Sequence, residues 1–130
     1  MVRPVVGMVL IALIAGLGLA ACTKETHPPG EVGTCFQVQP QRDGSLKYNR
    51  LPSKQPDLEH CAAALEAMRM KFISMGGSQR EIAGAYQGNY LFLQRDGIFT
   101  SQYLEAHRYL ILVRTNDGRL VIPSAMPQQP

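Results

Sequence analysis

The chain has 130 residues, with 13 Lys and Arg against 10 Asp and Glu and a formal net charge of +3. That length supports one domain around one core. A charge so small, with basic residues scattered from Lys24 to Arg119 and never in a run, argues against nucleic acid as a partner.

Residues 1–21 place Arg3 ahead of an uncharged apolar run that starts at Val5 and closes on small residues at Leu19-Ala20-Ala21-Cys22. This is the order of a secretory signal peptide: a positive start, an apolar middle and a small-residue cleavage site. The last four residues resemble the lipobox of bacterial lipoprotein precursors. The resemblance covers only the first 22 residues. It implies that the Cys22 sulfur is diacylated, that cleavage falls just before it, and that Cys22 becomes the first residue of the mature chain. Two or three acyl chains hold a protein at a membrane that one chain binds only reversibly. An ordinary secretory peptide and an uncleaved anchor helix are the competing readings. The anchor is disfavoured because the run sits at the short limit of the roughly 17–25 residues a span requires, and Gly7, Gly16 and Gly18 weaken it as a helix. The implied location is the cell envelope, lipid-anchored, with the domain outside the cytoplasm. In a Gram-negative cell the absence of Asp at position 23 implies the outer membrane, facing the periplasm.

Removal of the signal leaves 109 residues. Residues 22–34 are rich in Pro, Gly and charge and lack apolar periodicity, so they are expected to form a flexible tether with a mean reach of about 20 Å. A single α+β domain is then expected over 35–123, followed by a disordered tail over 124–130. With Cys22 assigned to lipid, Cys35 and Cys61 form an even pair in an oxidising compartment, and a disulfide is the expected state. It closes a loop of about 27 residues, for which chain entropy gives roughly 3.5 kcal/mol. A metal site or reactive thiol built from Cys35, His60 and Cys61 fits poorly, because adjacent helical residues point about 100° apart.

Apolar runs flank Arg42-Asp43-Gly44, and two further Asp-Gly dipeptides follow in Arg95-Asp96-Gly97 and Asn116-Asp117-Gly118. Each predicts a hairpin. Three-residue loops would set Val38 opposite Tyr48, Leu93 opposite Phe99 and Val113 opposite Val121. Between the first and second of these turns, Asp57 to Met75 carries the helical signal. Leu58, Cys61, Leu65, Met68 and Phe72 recur at spacings of three and four, with Glu59, Glu66 and Lys71 expected to face water. Asp57 reads as the N-cap and Gly76-Gly77 as the stop. The expected fold is α+β: an antiparallel sheet of about three hairpins with one amphipathic helix packed on one face.

Ile82 to Leu93 reads as one strand punctuated by Gly84 and Gly88. Alternation along it would put Tyr86, Tyr90 and Phe92 on one face with the two glycines, and Ala85, Leu91 and Leu93 on the core side. Gly84, Tyr86, Gly88 and Tyr90 are therefore the candidate partner-binding residues, since Tyr suits interfaces and missing side chains leave room for a partner. No catalytic, cofactor or metal motif is present: there is no G-x-S-x-G, H-E-x-x-H, phosphate loop or Cys-x-x-Cys. Glu105 and His107 read as a polar connector between strands. Taken together these features predict a non-enzymatic envelope lipoprotein that contacts another envelope protein. The alternative is a tethered module for a small ligand or carbohydrate.

Overall fold

The structure, a computed structural model, describes residues 26–78 and 81–125. The signal segment, Cys22 and the last five residues lie outside them. In chain order the elements are β1 (Cys35–Pro40), β2 (Leu46–Arg50), α1 (Leu58–Ser74), β3 (Ile82–Tyr86), β4 (Asn89–Gln94), β5 (Gly97–Ser101), β6 (Tyr109–Arg114) and β7 (Leu120–Val121). A 3₁₀ turn, Pro123–Ala125, follows. The strands form one antiparallel sheet in the order β2-β1-β3-β4-β5-β6-β7, with α1 packed against it, which is the expected α+β class. From β3 to β7 the chain is a continuous meander.

Val38 does face Tyr48, and Val113 faces Val121. Between β4 and β5 the register differs by one residue: Leu93 faces Ile98, and Gln94–Gly97 is the closing pair around a two-residue loop. The shorter loop keeps Ile98 beside Leu91 and Leu93 in the core under the helix, and sets Phe99 opposite Phe92 on the other face. Side-chain burial, not the preferred loop length of an Asp-Gly turn, sets this register.

The larger departure lies at Ile82–Leu93, which is a hairpin and not one strand. Gln87 and Gly88 both have positive φ, 45° and 82°, the backbone that a two-residue hairpin turn requires. Gln87 is held there because its Oε1 accepts a 2.8 Å hydrogen bond from the Gly33 backbone N–H. The turn reverses the chain so that Tyr86 faces Asn89, and Ala85 faces Tyr90. Tyr86 therefore falls on the helix side of the sheet, and Tyr90 and Phe92 on the other.

The helix side packs Cys35, Cys61, Ala62, Leu65, Ile82, Tyr86, Leu91, Leu93, Ile98 and Leu112 into one cluster. Gly84 sits directly beneath the helix, where a Cβ would lie 2.2 Å from Leu65 Cδ1 and 3.0 Å from the Phe36 carbonyl oxygen. A Gly84→Ala substitution is thus expected to cost about 1–3 kcal/mol through overpacking, measured as a lower urea midpoint with an unchanged m-value. The Cys35–Cys61 disulfide is present and joins the start of β1 to the first half of α1, with Cα atoms 5.5 Å apart. Replacing both cysteines with alanine is expected to cost about 2–5 kcal/mol. The check is that the oxidised protein in added reductant loses stability to the same extent.

Asp57 caps α1, its Oδ1 accepting a 2.7 Å hydrogen bond from the His60 N–H and lying 2.6 Å from His60 Nδ1. The backbone N–H bond first, and the His60 side chain second, hold the Asp57 carboxyl below its ordinary value of 3.8. Hydrogen bonds from Ser45 and Thr115 do the same for Asp43 and Asp117 in two of the turns. Because these folded values are depressed, the stabilisation is present above pH 3.8 and lost as the pH falls through the lower, folded values. Asp57→Asn is expected to flatten the loss of helical circular dichroism between neutral pH and that acid range.

The helix is rotated relative to the expected stripe. Its buried residues are Cys61, Ala62, Leu65, Glu66 and Arg69, while Phe72 is 44% exposed. Glu66, expected in water, is 7% exposed, and its carboxylate accepts two 2.8 Å hydrogen bonds from Arg114 Nε and Nη2 and a 3.1 Å bond from Arg69. Arg114 also donates to the Gln94 and Arg95 carbonyls, so one guanidinium ties α1, β6 and the β4–β5 turn together.

Among the described residues no helix covers the second face of the sheet. Phe36, Val38, Ala85, Tyr90 and Phe92 are buried there, with Tyr48, Phe99 and Leu104 packed around them. Arg108, from the connector between β5 and β6, stacks 3.6 Å from the Phe92 ring centroid.

The part of the expected tether that is described does not hang free. Pro28 and Thr34 are buried. The Gly88 N–H donates to the Pro29 carbonyl, and the Leu104 N–H to that of Thr26. The unsatisfied backbone of the β3–β4 turn and of the 102–108 connector supplies partners that composition could not reveal. Beyond β7, residues 123–125 close as the 3₁₀ turn, so the first two positions of the expected tail belong to the fold.

Candidate functional site

Strand β7 is only two residues long and pairs with the C-terminal half of β6, so among the described residues the sheet ends at this edge with little cover. Helix α1 passes alongside. Between them runs a groove made of two hollows of about 300 and 480 Å³, both lined by Ala63 and Leu120. The first also meets Leu112, Val121 and Ile122, and the second Ala67 and Met70. Ala63 and Ala67 stand one helical turn apart, so α1 offers a smooth floor about one turn wide. Met70 at one end and Ile122 at the other are 54% and 52% exposed. Glu59, His60 and Arg119 edge the groove, and the Glu66–Arg114 pair stiffens it from below. Methionine adapts its shape to a partner, and small residues permit close approach.

The residues expected to bind a partner do not come together. Tyr86 is 3% exposed, and its hydroxyl donates a 2.6 Å hydrogen bond to the Gln55 carbonyl. Tyr90 is fully buried on the opposite face, 2.7 Å from the Tyr48 hydroxyl. Burial, with that hydrogen bond second, pushes the Tyr90 hydroxyl well above its ordinary value. Gly84 is covered by Leu65, and Gly88 is spent on the turn. All four are positions of the fold. No protein-family model, curated protein or solved structure matches this chain.

A second concavity, about 510 Å³, lies at the other end of β5 and β6, lined by Asn89, Thr100, Ser101, Tyr103, His107 and Tyr109 among others. Its polar atoms are largely committed: Thr100 Oγ1 donates to the Tyr90 carbonyl, Ser101 Oγ to that of Tyr103, and Asn89 to that of Gln87. Glu105 accepts from Thr26 Oγ1, and the His107 ring packs edge-on against Tyr109. Among the described residues no cluster of three or more His, Cys, Asp or Glu is arranged to hold a metal ion.

The groove escaped sequence reasoning because it forms between elements some 50 residues apart. Its one visible signal in the sequence is the alanine series at 62–64 and 67, which by itself speaks only for helix propensity.

Proposed function

We propose that this chain is a non-enzymatic, lipid-anchored protein of the bacterial cell envelope that acts by holding another envelope protein, with the α1–β7 groove as its contact surface. The observation that carries the contact reading is the groove itself, where Met70 and Ile122 stand more than half exposed over an alanine floor. The anchor reading rests on Leu19-Ala20-Ala21-Cys22. Tethering both partners to one membrane raises their effective concentration, so a groove of this size suffices without high intrinsic affinity.

A photo-crosslinking residue at Ala63 in intact cells is expected to capture a discrete envelope protein, whereas one at Arg42, in the β1–β2 turn, captures none. Ala67→Arg, which fills the groove with a charge from an exposed position, is expected to abolish capture and leave the thermal midpoint nearly unchanged. Capture that survives Ala67→Arg would remove the groove from the proposal. For the anchor, Cys22→Ser is expected to abolish fatty-acid labelling and membrane retention together.

The volume of the 510 Å³ concavity, within the usual range of ligand pockets, favours a small-ligand module as the second reading. Saturable binding of a soluble saccharide that protects the Tyr103 and Tyr109 rings from chemical modification would support it over the first.

A further inference from the structure

The two ends of the sheet differ in chemistry. The strand registers collect the Asp43, Asp96 and Asp117 turns at one end. The three turns themselves are polar: residues 41–45, 95–96 and 115–119 contain three arginines and three aspartates and no aromatic ring. The opposite end gathers the start of β1, the Gln87–Gly88 turn, the end of β5 and the start of β6. Here two aromatic pairs meet, His27 with Tyr103 at 4.5 Å between ring centroids and His107 with Tyr109 at 4.8 Å. Tyr109 is 64% exposed and Val32 76%. The first described residue, Thr26, also lies at this end. Thr26 is fastened by its carbonyl to the Leu104 N–H and by its hydroxyl to Glu105, whose connector carries both Tyr103 and His107.

From this geometry we infer that the aromatic end of the sheet lies on the lipid surface, with Tyr103, Tyr109 and their histidine partners at headgroup depth and the three Asp-Gly turns pointing away. The inference rests on the proposed acylation of Cys22. Only Thr23, Lys24 and Glu25 separate Cys22 from Thr26, and four Cα steps span at most about 14 Å. A strand of six residues is roughly 20 Å long, so while Thr26 stays fastened that leash keeps the aromatic end within reach of the bilayer and rules out an upright domain resting on the far turns alone. Amphipathic rings favour the membrane–water interface, where the ring leaves water and the hydroxyl or imidazole stays hydrated. Charged turns gain nothing there. The lipid therefore does more than tether: it orients the domain and leaves the α1–β7 groove, which runs along the flank of the sheet, open to a neighbour in the same membrane.

The chain contains no tryptophan, so a single one reports position without background. Full-length protein carrying Gln102→Trp, Tyr109→Trp or Asn116→Trp is purified from bacterial membranes, and the mass of its N-terminal peptide shows whether Cys22 is acylated. It is then placed in phosphatidylcholine–phosphatidylglycerol vesicles with brominated acyl chains. Gln102→Trp and Tyr109→Trp are expected to lose most of their emission and Asn116→Trp none. Equal quenching of all three, or quenching of none, in protein whose mass shows acylated Cys22 overturns the orientation and leaves the anchor standing. An N-terminal peptide without acyl chains removes the anchor, and the orientation with it.

Discussion

Tyr90→Ala is expected to unfold the domain at physiological temperature or leave it barely stable, because a fully buried ring is removed from the middle of the second face. Large-to-small changes at such aromatic positions cost about 3–5 kcal/mol, against a total stability of about 5–15 for a domain of this size. The cost has two parts. Phe36, Val38, Ala85 and Phe92 lose a packing partner, and the Tyr48 hydroxyl, 2.7 Å away, loses its hydrogen bond. Tyr90→Phe separates them, retaining the ring and costing about 1–2 kcal/mol for the unpaired hydroxyl. Urea denaturation of both variants, followed by circular dichroism, reads the two contributions. Tyr86→Ala is expected to behave like Tyr90→Ala through the other core, since Tyr86 packs under α1 and bonds the Gln55 carbonyl. If the double alanine variant kept its melting temperature, the rings would lie on a surface and the β3–β4 hairpin would be misplaced.

Glu66→Ala is expected to have the second-largest effect, a loss near the lower end of the roughly 3–5 kcal/mol that follows removal of one partner from a buried ion pair. Arg114 keeps 18% of its side chain exposed and Arg69 10%, so water partly screens the charges left behind. Even so, two guanidinium groups lose the carboxylate between them, and Arg114 loses the bidentate geometry that aims it at the Gln94 and Arg95 carbonyls. Glu66→Gln retains an acceptor of the same shape and should recover part of the loss. Replacing Glu66 and Arg114 together, Glu66→Met with Arg114→Met, should recover more, because it removes the buried bidentate pair as a whole and does not strand one of its charges. A Glu66→Ala variant as stable as the wild type would mean that the pair contributes nothing and that Glu66 turns to solvent.

Residues near one another in the sequence carried their own structure. Asp57 caps α1 because its side chain reaches the exposed N–H groups of the first turn, a contact made within four residues. Two of the three Asp-Gly turns set the strand pairing expected of them, since turn geometry and alternating burial agree there. The Cys35–Cys61 bridge followed from parity, and the α+β class from one helical period among several alternating ones.

What needed the third dimension was every choice between local options of similar energy. Gln87–Gly88 lacks the Asn-Gly or Asp-Gly signature, and it turns because Gly33 donates to the Gln87 side chain from 54 residues away. That single turn moved Tyr86 and Tyr90 to opposite faces and into the two cores. The spacing of Leu58, Cys61, Leu65, Met68 and Phe72 fits a helix but leaves its rotation open. The disulfide, the close approach at Gly84 and the Arg114 guanidinium together turned it so that Glu66 went in and Phe72 stayed partly out. The tether was read from composition as free chain, yet residues 26–34 found backbone partners on the β3–β4 turn and the connector. The groove likewise exists only where α1 and β7 are brought side by side. Propensity and period are properties of a few neighbouring residues, whereas burial and charge pairing belong to surfaces that meet only after the chain has folded.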